Sequence, residues 1–327
     1  RNAIADGEGL AARRARLAAA DAQVGPAARA LAALVVAPVI ARADRPRLAI
    51  AADGSLHQIP FAILPAAGAR LGAAHELVAI PSAAVLAELR GRARATATGA
   101  IAILADPIYD AGDPRLTGGA TPTPAPPDTI VLRGAALARL PYTAAEAEAI
   151  RALAPDRALV LTGADADRDA LARADVLHAR IVHVATHAIV DGVHLEGTGL
   201  ALASRDAHGA PRDGFVRIPD IEALHLSADL VVLSACDTAL GKPFRGEGLI
   251  GLVQAFHRAG APRVLATLWQ VDDRATAALI GAFYRHLLVE HDAPAAALAA
   301  AQAELAADPR FTAPYFWAGF VLHGDWR

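Results

Sequence analysis

The sequence contains no methionine and a single cysteine, Cys236, among its 327 residues. A lone cysteine excludes an internal disulfide framework, and it excludes a zinc site built from several cysteines. A chain without disulfides is typical of a reducing compartment, so we expect a cytoplasmic protein. Because the sequence also begins at Arg1 without a methionine, we expect the natural protein to continue upstream.

Long apolar runs are missing as well. The longest, residues 27–40, is interrupted by Arg29 and Pro38 and is too short to span a bilayer. The start of the sequence has no signal-peptide pattern. The formal net charge is only −3, so we expect neither nucleic acid nor a membrane as a partner. Hydrophobic residues make up 54% of the chain, which is enough for a large core without covalent cross-links.

Short apolar runs alternate with helical patterns along most of the chain. This alternation predicts an α/β fold with a mainly parallel central sheet that is covered on both faces. Glycine, proline and threonine are concentrated in residues 111–129, which predicts an exposed loop. The predicted strands are 48–52, 77–82, 100–104, 158–162, 181–186, 198–203, 229–235, 263–269 and 318–322. The predicted helices are 83–91, 143–153, 167–174, 248–259, 273–289 and 294–306.

The N-terminal part has helical patterns over residues 2–44, and Gly25-Pro26 predicts a break into two helices. We therefore divide the chain into an N-terminal helical segment, residues 1–44, and one large domain, residues 45–327.

Thr143 and Glu146 have the spacing of a capping box, which predicts that a helix begins there.

Polar residues follow two of the predicted strands. In an open α/β sheet, catalytic groups gather at the carboxyl ends of strands. His187 lies at the end of strand 181–186, and Cys236 lies at the end of strand 229–235. A thiol within hydrogen-bond reach of an imidazole can transfer its proton to the ring and act as a nucleophile. The two positions predict a dyad in which Cys236 is the nucleophile and His187 is the general base.

These residues also have simpler structural interpretations. A lone cysteine in an apolar run is usually an inert core residue. His183 and His187 have the spacing of a helical zinc pair, but four residues of a strand span about 13 Å. We therefore expect no shared metal and place His183 inside the sheet as support. The segment from Gly241 to Gly248 lacks the Lys-Ser/Thr pair of a phosphate-binding loop, so we expect no nucleotide there.

Several segments in the same order resemble a known family, the CHAT domain of the caspase, separase and gingipain superfamily. The similarity runs from about residue 45 to the C-terminus and includes several uncommon tetrapeptides. The matching segments are Asp53-Gly-Ser-Leu-His-Gln-Ile-Pro-Phe61, Ile80-Pro-Ser-Ala83, His183-Val-Ala-Thr-His187, Ser234-Ala-Cys-Asp-Thr238, Gly246-Glu-Gly248, Ala259-Gly-Ala-Pro-Arg-Val264, Leu268-Trp-Gln-Val-Asp-Asp273 and Tyr315-Phe-Trp-Ala-Gly-Phe320.

The resemblance implies a caspase-like α/β/α sandwich and a cysteine endopeptidase that uses no cofactor and no metal. It implies that His187 is the base and Cys236 the nucleophile, with an oxyanion hole formed by backbone N–H groups near Ala188 and at Cys236. Family members usually have glycine after the catalytic histidine. A positive φ at that position would cost an alanine about 1 kcal/mol or more.

The resemblance also implies where the pocket for the residue before the cleaved bond lies. Its lining would be Asp106 at the end of an early strand, Ser234, and the segment that contains Trp269, Asp272 and Asp273. With Asp106 and one of the two adjacent aspartates present, the pocket would favour arginine or lysine. Two alternatives stay open, because one of the adjacent aspartates can cap the next helix and Asp106 can simply end its strand.

CHAT domains commonly follow a helical repeat region, often of the tetratricopeptide kind, that senses a partner. Residues 2–44 are compatible with the end of such a region. We therefore expect a regulated endopeptidase that cleaves a dedicated protein substrate, in bacterial defence or programmed cell death. The alternative is a catalytically silent CHAT-like scaffold or regulatory module. An unrelated flavodoxin-like domain would need phosphate-binding loops, which the sequence lacks.

Overall fold

The regularly spaced apolar runs pair into an eight-stranded sheet in the computed structural model of the chain. The structure describes residues 10–92, 96–116, 137–190, 197–234, 236–237, 247–269 and 271–326. Most of the predicted loop 111–129 lies outside these residues. The strands in chain order are β1 Arg47–Ile50, β2 Pro65–Ala66, β3 Ala69–Arg70, β4 Glu76–Ala79, β5 Ile101–Pro107, β6 Ala158–Gly163, β7 Ile181–Ala185, β8 His187–Ile189, β9 Gly199–Ala201, β10 Phe215–Arg217, β11 Leu230–Leu233, β12 Cys236–Asp237, β13 Arg263–Thr267 and β14 Phe320–Gly324.

The large sheet has the strand order β1-β4-β14-β13-β11-β7-β5-β6. Strands β6, β5, β7, β11 and β13 run in one direction. Strands β14, β4 and β1 run in the opposite direction, so the sheet changes direction between β13 and β14. Every residue of β5, β7, β11 and β13 is buried, as expected for strands covered on both faces. The prediction of a mainly parallel central sheet is confirmed.

Helices cover both faces of this sheet and form two separate hydrophobic cores. Helices α5, α9 and α10 contribute to one core, and helices α7 and α8 contribute to the other. Along β5, Ile103 belongs to the first core while Ala102 and Leu104 belong to the second, as the alternation of a strand requires. The α/β/α sandwich expected from the sequence is confirmed. The helices are α1 Leu10–Val35, α2 Ala37–Ile40, α3 Leu71–Ala74, α4 Ala83–Gly91, α5 Pro141–Leu153, α6 Ala174–Leu177, α7 Ile218–Glu222, α8 Glu247–Arg258, α9 Asp273–Leu288 and α10 Pro294–Ala307.

The break predicted at Gly25-Pro26 is wrong, because helix α1 continues through Pro26. Ala28, Ala32 and Val36 are buried at successive helical turns. A proline inside a helix costs about 3 kcal/mol or more, and packing of one helix face against the rest of the chain offsets that cost here. None of the described helices combines the length and the apolar composition needed to cross a bilayer.

The capping box predicted at Thr143 and Glu146 is also wrong. Helix α5 begins at Pro141, and the hydroxyl of Thr143 donates a 2.7 Å hydrogen bond to the carbonyl oxygen of Leu140. The same hydroxyl accepts a 3.0 Å hydrogen bond from the backbone N–H of Asp106. Glu146 is buried, with 1% of the residue exposed. Both residues therefore turn inward, where tertiary contacts replace the local cap.

A second sheet, with the order β10-β9-β8-β12, lies beyond the carboxyl ends of β7 and β11. Strand β8 pairs in parallel with β12 and antiparallel with β9. The sequence predicted β9 but did not separate β8, β10 and β12, because runs of two or three residues carry no periodic signal. The helix predicted at 167–174 is a 3₁₀ turn, Asp169–Ala172, followed by the short α6.

Gly324 at the end of β14 provides a test of this packing. Its φ is +95°, and a Cβ there would overlap the carbonyl oxygen of Pro262. We expect Gly324→Ala to lower the free energy of unfolding by at least about 1 kcal/mol, measured by urea denaturation. The matched control is Gly281→Ala inside α9, where a Cβ would meet nothing within 4 Å. That variant should gain about 0.5–1 kcal/mol, and equal effects of the two substitutions would contradict the assigned backbone of β14.

Candidate active site

The second sheet brings the two residues of the predicted dyad to adjacent backbone positions. His187 is the first residue of β8, and Cys236 is the first residue of β12. The two strands pair in parallel with His187 opposite Cys236 and Ala188 opposite Asp237. Neighbouring strands lie about 4.8 Å apart, so the two backbones are one strand spacing from each other.

The imidazole of His187 has one nitrogen engaged and one available. The residue is 5% exposed, and its Nε2 lies 2.7 Å from the carbonyl oxygen of Ala138. A carbonyl oxygen can only accept, so Nε2 carries the hydrogen and donates it. In the neutral ring, Nδ1 is then the basic nitrogen, and it has no hydrogen-bond partner among the described residues.

Burial keeps this ring neutral. It lowers the pKa of His187 below the ordinary value of 6.5, and the hydrogen bond to Ala138 opposes that shift. A neutral imidazole with an unpartnered nitrogen is the state that a general base requires before it takes a proton.

Tyr109 packs beside the ring of His187. Their ring centroids are 5.4 Å apart, with the planes tilted by 49°. The Tyr109 hydroxyl shares a 2.7 Å hydrogen bond with the hydroxyl of Thr186, and it donates to the carbonyl oxygen of Ala201 at 3.2 Å. Burial raises the pKa of the Tyr109 phenol well above its usual value, so the group stays neutral. Tyr109 therefore packs against one side of the imidazole and is itself hydrogen-bonded to strand β9.

Ala188 occupies an ordinary extended conformation. Among the described residues, positive φ outside glycine occurs at Ala67, Asp106 and His291. Ala188 lies in β8 and is 2% exposed. The strain that a positive φ would impose on an alanine after the histidine therefore does not arise.

His183 lies inside the sheet, as the sequence predicted, and it is part of a buried polar network. Its Nε2 is 2.8 Å from Oε1 of Glu146, and its Nδ1 is 3.1 Å from the Tyr284 hydroxyl. The hydroxyl of Ser234 donates a 3.0 Å hydrogen bond to Oε2 of Glu146. All four residues are at most 3% exposed. The side chain of Ser234 is therefore engaged in the interior, next to the strand that leads to the cysteine.

Asp106 is enclosed by two arginines. Arg139 donates from Nε and Nη2 to its two carboxylate oxygens at 2.9 and 2.7 Å. Nη1 of Arg115 lies 2.8 Å from the same carboxylate, whose side chain is 4% exposed. The φ of Asp106 is +47°, a conformation that aspartate tolerates better than most residues. The negative charge of Asp106 is thus offset within the chain.

The two adjacent aspartates have different roles. The carboxylate of Asp272 accepts hydrogen bonds from the N–H groups of Arg274 and Ala275, so Asp272 is the N-cap of α9. Asp273 is half-buried and has no hydrogen-bond or ion-pair partner among the described residues. Burial and the neighbouring carboxylates of Asp272 and Glu146 raise its pKa. The alternative that one aspartate caps the helix therefore holds for Asp272 and not for Asp273.

Trp269 holds the end of β13 against the C-terminal segment. Its Nε1 donates a 3.0 Å hydrogen bond to the carbonyl oxygen of Tyr315. A Cβ at Gly319 would lie 2.9 Å from the indole ring, so only glycine permits this approach. The ring is partly exposed. Gln270 lies outside the described residues.

Several residues of this site, among them Tyr109, Glu146 and Ala138, were not singled out from the sequence as site residues. Tyr109 follows the predicted strand stop at Asp106, Glu146 was assigned to a helix cap, and Ala138 contributes only a backbone carbonyl. The Thr-x-x-Glu pattern drew attention to Glu146 but pointed to the wrong partner. No side-chain signal marks Ala138, because every residue has a carbonyl group.

Among the described residues, one group has ligand atoms close enough together for a metal, namely His286, Glu290 and Asp292. It lies at the carboxyl end of α9, where His286 is about 20 Å along that helix from Asp273. Arg285 forms ion pairs with Glu290 and Glu304 in the same cluster. Charge pairing between α9 and α10 accounts for this group, which is separate from the dyad.

A family model for the CHAT domain matches residues 25–325. The chain belongs to the CHAT domain family. Tetratricopeptide repeat protein 28 of Mus musculus is 38% identical to the chain over 114 residues, which are 35% of the chain and 5% of that protein. Its Homo sapiens counterpart is 39% identical over 106 residues, which are 32% of the chain and 4% of that protein. The chain therefore spans a small part of these relatives.

Solved structures support the fold. A structure of the Saccharomyces cerevisiae separase–securin complex has a TM-score of 0.51 at 13% identity, covering 85% of this CHAT domain and 16% of the separase chain. A second structure of that complex has a TM-score of 0.50 at the same identity and coverage of this chain. Gingipain R has a TM-score of 0.43 at 8% identity and covers 76% of this chain and 54% of its own. The separase likeness establishes the caspase-like architecture.

The protonation of His187 can be measured directly. Because burial lowers its pKa in the folded state, the ring should titrate below the ordinary 6.5 in NMR spectra of histidine-labelled protein. The unfolded chain takes up this proton near pH 6.5 and the folded chain does not, so the contribution of His187 to stability falls as the pH decreases through that window. The His187→Asn variant assigns the signal, and urea-unfolded protein gives the reference. A titration midpoint at or above 6.5 would contradict the buried placement of the ring.

Proposed function

We propose that this CHAT domain is a cysteine endopeptidase in which Cys236 is the nucleophile and His187 is the general base. The observation that carries the proposal is the register of β8 and β12, with His187 directly opposite Cys236. The unpartnered Nδ1 of a neutral, buried imidazole supports the assignment of the base. The tautomer supports it further, because the hydrogen bond from Nε2 to Ala138 reserves Nδ1 for a proton from outside the ring.

The chemistry follows in two stages. Nδ1 takes the proton of the Cys236 thiol, and the sulfur attacks the carbonyl carbon of the scissile peptide bond. The imidazolium then gives this proton to the departing amine, which leaves a thioester on Cys236. In the second stage His187 takes a proton from a water molecule, whose oxygen attacks the thioester and releases the product as a carboxylic acid, which then loses its proton to the solvent. The proton on Nδ1 returns to the sulfur, so the enzyme is regenerated.

Backbone N–H groups near Ala188 and at Cys236 are the proposed donors to the oxyanion that forms in both stages. The extended conformation of Ala188 supports this role, since the strain argument against an alanine there does not apply. That argument was also the main support for a catalytically silent scaffold, which is the alternative function that the labelling experiment below tests.

A basic residue before the cleaved bond is the proposed specificity, with Asp273 as the carboxylate that binds it. The other two acidic candidates have partners, because two arginines surround Asp106 and Asp272 caps α9. A half-buried carboxylate that has no cationic partner among the described residues and lies close to two further carboxylates is stabilised when a positive group arrives. We retain Asp106, Ser234 and Trp269 as residues that border the pocket.

A protein substrate and an upstream sensor region complete the proposal. The mouse and human relatives are named tetratricopeptide repeat proteins, and the separase neighbours are in complex with securin. These similarities support helical repeats upstream of the domain and a protein as substrate or partner. The lone cysteine supports a cytoplasmic location for the proposed enzyme. A role in cell defence or programmed cell death is carried over from the family resemblance alone.

Covalent labelling tests the dyad. A peptidyl chloromethyl ketone should form one adduct on Cys236, detected by mass spectrometry, and His187→Ala should slow its formation by about 100-fold or more. Cys236→Ala should abolish cleavage and labelling while the melting temperature stays close to that of the parent. Absence of labelling in the full-length protein with its activator would support the silent scaffold instead.

A second substitution tests the pocket. Asp273→Asn should lower kcat/KM for peptides with arginine or lysine before the cleaved bond by about 10- to 100-fold, because a hydrogen bond to a charged group contributes about 1.5–3 kcal/mol. Asp272→Asn is the matched control, since asparagine caps a helix as well as aspartate does. Cleavage after aspartate or large apolar residues in a peptide library would contradict a basic preference.

A further inference from the structure

Glu146 is a buried carboxylate that the proposed reaction does not use. It lies on α5 with 1% of the residue exposed. Removing a carboxylate from water is costly unless close partners compensate, so a glutamate at this position requires specific partners. Glu148 on the same helix has the ordinary arrangement, a 59% exposed side chain that pairs with Arg151.

The two oxygens of Glu146 reach two different strands. Oε2 accepts the hydrogen bond from Ser234, which directly follows β11. Oε1 lies 2.8 Å from Nε2 of His183 on β7, a close polar contact that does not have hydrogen-bond geometry. The hydroxyl of Tyr284 on α9 meets the other ring nitrogen. Burial and the charge of Glu146 raise the pKa of Tyr284, so the phenol stays protonated and able to donate.

These contacts lie just before the two reactive residues. Ser234 is two positions before Cys236, and His183 is four positions before His187. The strands are in register here, with Val232 opposite His183, and the N–H of Ser234 donates to the carbonyl oxygen of Val184 at 3.0 Å. Beyond this point β7 and β11 leave the large sheet, and pairing resumes between β8 and β12. Glu146 therefore joins both strands where they pass from one sheet to the other.

Hydrophobic contacts alone would define the relative placement of the two strands at this junction less specifically than polar contacts do. Apolar packing has no direction, whereas hydrogen bonds and close ion contacts fix the relative placement of the groups they join. We propose that Glu146 is a positioning residue that sets the placement of Cys236 relative to His187, through Ser234 on one strand and His183 on the other. This inference rests on the proposed peptidase function.

The experiment measures the rate at which iodoacetamide alkylates Cys236, the only thiol of the chain, together with kcat and KM on a peptide substrate. Glu146→Ala should lower both the alkylation rate and kcat by about 100-fold with KM little changed, because small displacements of reacting groups have effects of that size. Glu146→Gln should recover most of the rate, since its amide can accept from Ser234 and donate to the other tautomer of His183. Glu148→Gln, the matched control, should match the parent.

A triple variant separates positioning from stability. Glu146→Leu, His183→Leu and Tyr284→Phe together replace the network by apolar groups of similar volume, which often preserves or raises stability. The proposal expects a folded protein whose thiol reacts slowly. Recovery of both the melting temperature and the rate would mean that the network only stabilises the fold, and would overturn the proposal.

The two proposals fail in different ways. If the parent thiol reacts no faster than free cysteine, the peptidase function fails and the role of Glu146 falls with it. If the parent thiol is fast and the thiol of the Glu146→Ala and Glu146→Gln variants is equally fast, the dyad stands and only the role of Glu146 is overturned.

Discussion

The pairing of β8 with β12 is the constraint on which the rest of the site depends. A slip of one residue would move the cysteine to the other face of the sheet and away from the histidine. The register comes from the large sheet, in which β11 pairs with β7 from Leu230 opposite Ile181 to Leu233 opposite Val184. These strands are fully buried, so the hydrophobic cores on both faces determine where the reactive residues lie.

The buried carboxylates near the paired strands are compensated by side chains from other segments of the chain. Two arginines compensate Asp106, and the network of His183 and Ser234 surrounds Glu146. Asp273 is left without a partner among the residues that the structure describes. In the proposed pocket, a basic group would be attracted most strongly to Asp273, because the carboxylates of Asp106 and Asp272 already have partners. The electrostatic potential at the candidate site therefore depends on which carboxylates have partners, and not on how many carboxylates are present.

Much of the fold could be predicted from the sequence because its strands are short apolar runs with clear boundaries. The eight strands of the large sheet all fall at predicted positions, and α4 has the predicted ends. The prediction failed where tertiary packing opposes a local rule. Pro26 stays inside a helix because one face of that helix is buried, and Thr143 and Glu146 turn inward although their spacing is that of a cap. A local sequence pattern shows which polar side chains are available for hydrogen bonds, but it does not determine which partners they bind.

The site was predictable to the extent that it depends on side-chain type. Cysteine and histidine at two strand ends were visible in the sequence, and their direct pairing through strands of two and three residues was not. The available nitrogen of His187 depends on the carbonyl of Ala138, a group that any residue at that position would supply. The path of the backbone therefore decides which nitrogen would accept the thiol proton in the proposed reaction, and the same side chains on a different path would not have this nitrogen reserved.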